Sequence, residues 1–288
     1  MKTKNILVLA AMTLSLLASC SSDDDMLQTA QGSDVRFSVG INDTRAFESA
    51  DDITSFGMYM HYNDNNEQLY GNSKFMGSNA TGFTSLGITW KDGARAVNIV
   101  AYAPYSETHG TDFEVQGGSG TSADESDIIV AEKKSFVPGS DLVAGKTTLA
   151  FTHLMGRLAV SFNLNFAYNV SNVKVSALYT TAHVSLLDAA SRIAATGATE
   201  EITPELVGTS YMAVLPPQTG SNIEVTFEVY DKSNTSNFRR MKWRGDIEIL
   251  SNHITNLQLT VNDADLPTRG SETAVEGTVS YTEISNNK

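Results

Sequence analysis

The feature of this 288-residue sequence that most constrains its fold is an alternation of apolar with polar or small side chains that recurs along the chain. Val35, Phe37, Val39 and Ile41 follow it, as do Leu158, Val160, Phe162, Leu164 and Phe166, and again Ile223, Val225, Phe227 and Val229. A period of two sends consecutive side chains to opposite faces of an extended strand, so each stretch offers one face to a core and one to water. Turn-forming clusters separate the stretches, among them Asn63-Asp64-Asn65-Asn66, Gly117-Gly118-Ser119-Gly120, Pro138-Gly139-Ser140, Pro216-Pro217 and Ser233-Asn234-Thr235. Short strands with regular turns predict an all-β chain of antiparallel β-sandwiches. Val184 to Ala198 is the one stretch with a helical pattern, because Leu187, Ala190, Ile193 and Ala194 fall at three- and four-residue spacing. Gly117 to Ser122, with the acidic Asp124 to Asp127 behind it, reads as a long loop inside the first of two domains. A boundary between the domains is expected near Gly156, between a strand at Thr147 to Phe151 and a strand starting at Arg157.

The first residues have the division of an export signal. Lys2 and Lys4 form a short basic region, Ile6 to Leu17 an apolar one, and Leu17-Ala18-Ser19 leads into Cys20. The apolar run is too short to span a hydrocarbon core of roughly 30 Å as a helix. Leu-Ala-Ser-Cys has the form of a bacterial lipobox, in which the cysteine thiol takes a diacylglyceryl group and the cut amino terminus is acylated; the alternative is an ordinary secretory peptide with a chance cysteine. Residues 1–19 are then the signal peptide, and the mature chain is anchored through Cys20 by two or more acyl chains, enough for durable attachment. Cys20 is the one cysteine of the chain, so an intramolecular disulfide is impossible. Residues 20–34 read as a tether that begins with the acidic run Ser21 to Asp25. That run resembles the acidic signal of Bacteroidetes lipoproteins displayed on the outer face of the outer membrane, and a plain solvated linker is the alternative. The formal charge is −13, and loss of Lys2 and Lys4 makes it more negative. Clustered Lys and Arg for phosphate neutralisation are missing, so nucleic acid is excluded as a partner.

Catalytic signatures are missing as well. The sequence has no G-x-S-x-G elbow, no phosphate-cradling loop and no H-E-x-x-H pair, and lipid occupies its thiol. His61, His109, His153, His183 and His253 lack ligand spacing, and His153 reads as a structural histidine beside a strand end. No catalytic residue, metal ligand or cofactor is expected. The Asn63 to Glu67 loop lacks the calcium-loop pattern and reads as a hairpin turn. Adjacent carboxylates such as Glu200-Glu201 and Asp51-Asp52 point to opposite faces of a strand and cannot flank one glycosidic bond. Trp90 and Trp243 could stack on sugars if exposed, but their strand-rich surroundings favour a core position.

Five segments, in order, resemble the fimbrillin family, the lipoprotein pilins and accessory subunits of Bacteroidales type V pili: Thr44-Arg45-Ala46 after an alternating strand, Ile88-Thr89-Trp90 leading into Val97 to Tyr105, Asp127 to Ala131, Leu149 to Val160, and Tyr211 to Gln218. The resemblance implies two tandem β-sandwich domains of transthyretin-like form, here residues 35–155 and 156–262, on a cell-surface outer-membrane lipoprotein. It also implies assembly with other fimbrial subunits by strand exchange, and adhesion to host or bacterial surface ligands. In that scheme an arginine-specific protease removes the N-terminal strand, and the vacated groove accepts the C-terminal strand of another subunit. Cleavage between Arg45 and Ala46 would release the strand carrying Val35, Phe37, Val39 and Ile41, although Arg45 also reads as an uncut residue in a surface loop. The tail, residues 263–288, begins with a polar linker and continues with Val275, Gly277, Val279 and Tyr281 on one face, a donor strand in outline. It reads equally as a final strand of its own domain or a disordered end. Beside this structural function stand a non-polymerising, glycan-binding surface lipoprotein and, more remotely, a glycoside hydrolase.

Overall fold

The computed structural model describes residues 30–41, 52–118, 126–165, 167–262 and 272–283. The first part of the chain forms β1 (Phe37–Ile41), β2 (Ser55–Tyr62), β3 (Gln68–Ser78), β4 (Gly82–Thr84), β5 (Val97–Ala103), β6 (Asp112–Gln116), β7 (Ile129–Phe136) and β8 (Thr147–His153), with a helical turn at Pro138–Asp141. The second part forms β9 (Gly156–Leu164), β10 (Tyr168–Ser185), β11 (Ile193–Ile202), β12 (Glu205–Val207), β13 (Ser210–Leu215), β14 (Gln218–Asp231), β15 (Asn234–Ile249), β16 (His253–Val261), β17 (Glu272–Ala274) and β18 (Glu276–Glu283).

The chain is all-β, but its first unit is not the expected sandwich. Seven strands close into a barrel in the order β1-β4-β3-β2-β5-β7-β8, and β1 completes the ring. Alternation cannot distinguish a closed sheet from an open pair, because a barrel strand also has one inward and one outward face. The wholly antiparallel expectation is corrected too: β1 runs parallel to β8, β9 to β16 and β15 to β17. Each of these pairs joins segments far apart in sequence, which no hairpin forces to be antiparallel.

Aromatic rings fill the barrel. Phe37 meets Phe75 and Phe56 edge-on at centroid separations of 5.1 and 5.9 Å, while Phe56 stacks on Phe75 at 5.3 Å and also touches Phe83 and Phe151. All five are buried, and each contributes about 1.5–3 kcal/mol by burial alone.

In the second unit, β9 to β18, two sheets face each other. One has the order β11-β10-β14-β15-β17 and the other β12-β13-β9-β16-β18. Val175, Val225, Phe227 and Trp243 of the first pack with Leu158, Val160, Leu257 and Leu259 of the second in one core. The helix expected across Val184 to Ala198 is absent. That stretch is the end of β10, a turn and the start of β11, with Val184 paired to Ile193. The apparent helical spacing comes from Leu187 and Ala190 in the turn and Ile193 and Ala194 at the start of β11.

Strand β6 departs from the barrel. It pairs antiparallel with β10, from Gln116 opposite Thr181 to Asp112 opposite Ser185, beyond the residues where β14 pairs with β10. The first residues of the expected loop continue this pairing, with Gly117 N–H to the Thr180 carbonyl and Gly118 N–H to the Val214 carbonyl, both at 2.7 Å, while residues 119–125 of that loop lie outside the described residues. Hydroxyls of Ser185 and Thr111 hydrogen-bond to Asp112 and hold its carboxyl below the usual range. A shared apolar cluster lies at this junction: Tyr59, Val100, Tyr102 and Val130 from the barrel's outer face meet Phe113 and Val115 of β6 and Val184 and Leu186 of the second unit. Gly57 is required beneath it, because a Cβ there would lie 2.3 Å from the Tyr102 ring. Burial of that ring pushes the Tyr102 hydroxyl pKa up to about 12.

A buried ionic group sits where the two units meet. Asp127 Oδ2 lies 3.0 Å from His153 Nδ1 and 3.3 Å from the Arg157 guanidinium, and all three side chains are at least nine-tenths buried. An ion pair of this kind adds little net stability over an apolar substitute, but loss of one partner strands the other's charge. Replacing Asp127 by Ala should cost about 3–5 kcal/mol of unfolding free energy, measured as a lowered denaturant midpoint, and Asp127→Asn should cost less.

Candidate functional site: a strand in the barrel wall and a strand on the sandwich edge

The segment Val35 to Ile41 is part of the barrel core. Val35, Phe37, Val39 and Ile41 are all buried, as alternation requires of a strand with one face inward. Ser38 faces out, and its hydroxyl is 2.7 Å from that of Thr148. The two edges of β1 are held differently. Along β8 the ladder is complete, from Phe37 opposite Thr147 to Ile41 opposite Phe151. Along β4 there is one pair, Phe37 with Phe83, and the Val39 N–H instead donates to Asn79 Oδ1 at 2.8 Å. Upstream, the chain is zipped to the segment before β5: Gly32 N–H reaches the Trp90 carbonyl at 2.7 Å, and Val35 N–H the Ile88 carbonyl at 3.1 Å. Cys20, Arg45 and Ala46, the candidate lipidation and cleavage positions, lie outside the described residues.

The tail segment lies on its own chain. β17 runs beside β15 from Arg240 to Lys242, with Lys242 ion-paired to Glu272. β18 then crosses to the facing sheet and pairs with β16, from His253 opposite Glu283 to Thr260 opposite Glu276. Val275 and Val279 are half-buried against the sandwich core, and Tyr281 is 46% exposed. Gly277 lies directly on Trp243, where a Cβ would come within 2.6 Å of the indole nitrogen. The inward face read from the sequence is thus the face turned to the core, but this seat covers it only in part.

The remaining candidates have structural surroundings. Trp90 packs against Phe136 inside the barrel and Trp243 inside the sandwich, so neither presents a ring to solvent. Glu200 accepts a hydrogen bond from Thr180, whereas Glu201 pairs with Lys174, so these two carboxylates serve different partners. The Asn63 to Glu67 segment is the turn between β2 and β3. Arg95 binds the Asp64 carboxylate there, and this hydrogen bond holds its pKa below the usual range. No group of three or more His, Cys, Asp or Glu arranged to hold a metal occurs among the described residues. The Asp127–His153 pair has the form of an oriented general base, but Arg157 is the third member and the imidazole is sealed in protein. Sequence reading left the role of Asp127 and Arg157 unremarked. The available signal was a charged residue beside apolar ones, Asp127 leading Ile128 to Ala131 and Arg157 inside Leu149 to Val160.

Comparison with known proteins places this geometry. No curated protein matches the chain. Among solved structures, a candidate cell adhesion protein from Bacteroides uniformis is similar with a TM-score of 0.65 at 18% identity, over 88% of this chain and 97% of that one. Another from Bacteroides ovatus gives 0.57 at 16% identity, over 89% and 99%. A tip fimbrial protein from Porphyromonas gingivalis, truncated at its C-terminus, gives 0.51 at 11% identity, over 87% and 100%. At these identities the likeness concerns the fold. The fimbrillin-like family profile matches residues 42–281, most of the chain, and this protein belongs to the fimbrillin-like family.

Proposed function

We propose that this protein is a structural, non-catalytic subunit of a cell-surface fimbria. In this reading it is exported as an outer-membrane lipoprotein anchored through Cys20, joined to neighbouring subunits by strand exchange, and used in adhesion. The observation that carries the reading is the seat of β1. The segment Val35 to Ile41 fills the barrel wall with four buried side chains, and among the described residues β1 pairs with β4 at one position, Phe37 with Phe83, beside the Val39 N–H bond to Asn79. Cleavage at Arg45 would leave it joined to the rest of the chain by noncovalent contacts alone. Were it to leave, the uncovered apolar slot would favour a replacement strand by several kcal/mol, at roughly 25 cal/mol per Å².

The tail has the chemistry of that replacement. Val275, Gly277, Val279 and Tyr281 form an alternating face that its own edge covers only partly. Moving β18 from β16 into a neighbour's barrel would exchange one ladder for another and bury its apolar face more completely. Main-chain pairing would supply affinity and the alternate side chains register. Burial of both tryptophans gives no support to a glycan-binding surface built on their rings.

Treatment of the purified full-length protein with an arginine-specific protease should yield a new N-terminus at Ala46 and a ladder of heat-labile oligomers on unheated gels. Arg45→Ala should leave a monomer under the same treatment. A chain ending before Glu272 should be cut normally and remain monomeric, because it can receive a strand but has none to give. Cleavage at Arg45 of the intact chain without any oligomer would overturn the strand-exchange reading.

A further inference from the structure

The end of the barrel where β1 begins carries two aliphatic side chains that the fold does not use: Leu86 is fully exposed and Val143 is 75% exposed. Strand register puts both at that end. Phe37 lies between Phe83 of β4 and Thr147 of β8. β4 runs antiparallel to β1, so Leu86 lies beyond Phe83 in the direction of Asp34. The Ile88 carbonyl accepts from Val35, and Asp34 bridges Thr89, which fixes the same direction. β8 runs parallel to β1, so Val143, before Thr147, approaches from that end as well. Val143 is held in a tight turn by reciprocal bonds with Lys146, and the Thr147 N–H binds the Arg36 carbonyl. Ile88, two residues after Leu86, and Leu142, next to Val143, are partly buried and pack on the barrel core.

The same end receives the chain from Cys20. Residues 21–29 separate that cysteine from Ala30, and even fully extended they let the barrel stand no more than roughly 35 Å from an acylated Cys20. We infer that this rim, through Leu86 and Val143, rests on the lipid surface while the protein is anchored, with the two side chains seated among the headgroups. The inference rests on the proposed lipidation of Cys20. A solvated aliphatic side chain gains by entering the acyl boundary, and acyl anchors hold the rim at high local concentration there. Anchored through Cys20, the chain lacks Lys2 and Lys4 and is more negative than the −13 of the full sequence, which disfavours an anionic surface, so a zwitterionic one is the partner to test.

The test uses the full-length lipoprotein purified from membranes, with Leu86→Cys, Val143→Cys or Ala80→Cys introduced singly and labelled with an environment-sensitive thiol dye. Ala80 is exposed in the turn between β3 and β4, at the opposite end of the barrel. With Cys20 acylated, each variant takes one dye and the unsubstituted protein none; dye on the unsubstituted protein would show a free Cys20 and overturn the lipid reading itself. On incorporation at low density into phosphatidylcholine vesicles, emission at positions 86 and 143 should shift to the blue and roughly double, with no change at 80. Vesicle-bound, singly labelled protein whose signals at 86 and 143 stay like that at 80 would overturn the rim contact alone. So would a change that develops only as protein density rises, which would make the rim a contact between copies of this chain.

Discussion

Pairing of Phe37–Ile41 with Thr147–Phe151 is the interaction on which the molecule turns. It joins segments more than a hundred residues apart, closes the barrel, and sets Phe37 among four other phenylalanines. Without it the sheet β4-β3-β2-β5-β7-β8 would have two open edges and an uncovered apolar interior, a combination that exposed sheets avoid because it templates pairing with other chains. The proposed assembly uses that same liability: a barrel that needs a seventh strand is specific for an extended, alternating segment and indifferent to which molecule supplies it.

Three kinds of contact cross between the two units. β6 extends the sheet of the second unit, the Tyr59–Phe113–Val184 cluster fills the space beneath it, and Asp127 with His153 and Arg157 ties the base of β7 to the turn between β8 and β9. The last of these is polar and buried, so it specifies geometry more than it adds stability. In the proposed assembly, a subunit so braced would hold the direction between its barrel and its tail.

Much of this was legible in the residues. Alternation located β1, β9, β14 and β18, and it identified their inward faces, because side-chain direction in a strand is a local property. Closure was not legible: whether Phe37–Ile41 is the edge of a sandwich or the last stave of a barrel depends on a register with Thr147–Phe151 that no local pattern encodes. The false helix at Val184 to Ala198 arose because a turn and a strand start can place Leu187, Ala190 and Ile193 at helical spacing by coincidence. The β6 excursion escaped for a related reason, since Asp112–Gln116 has a strand pattern but nothing in it names β10 as its partner. Among the candidate site residues, those of the two strands could be located in the fold, whereas Cys20, Arg45 and Ala46 rest on motif alone.

The reach of β6 also imposes a schedule on the chain. Synthesis from the N-terminus delivers Asp112–Gln116 well before Tyr168–Ser185, and Phe37–Ile41 well before Thr147–His153. Both early strands must wait for late ones, so loop-closure entropy is spent before any of this pairing is gained, and folding of this kind is slow. During that interval β6 and the β8-facing edge of β1 stay unpaired, and such edges can aggregate. Folding of such a chain therefore calls for something to shield its leading half until the trailing half arrives.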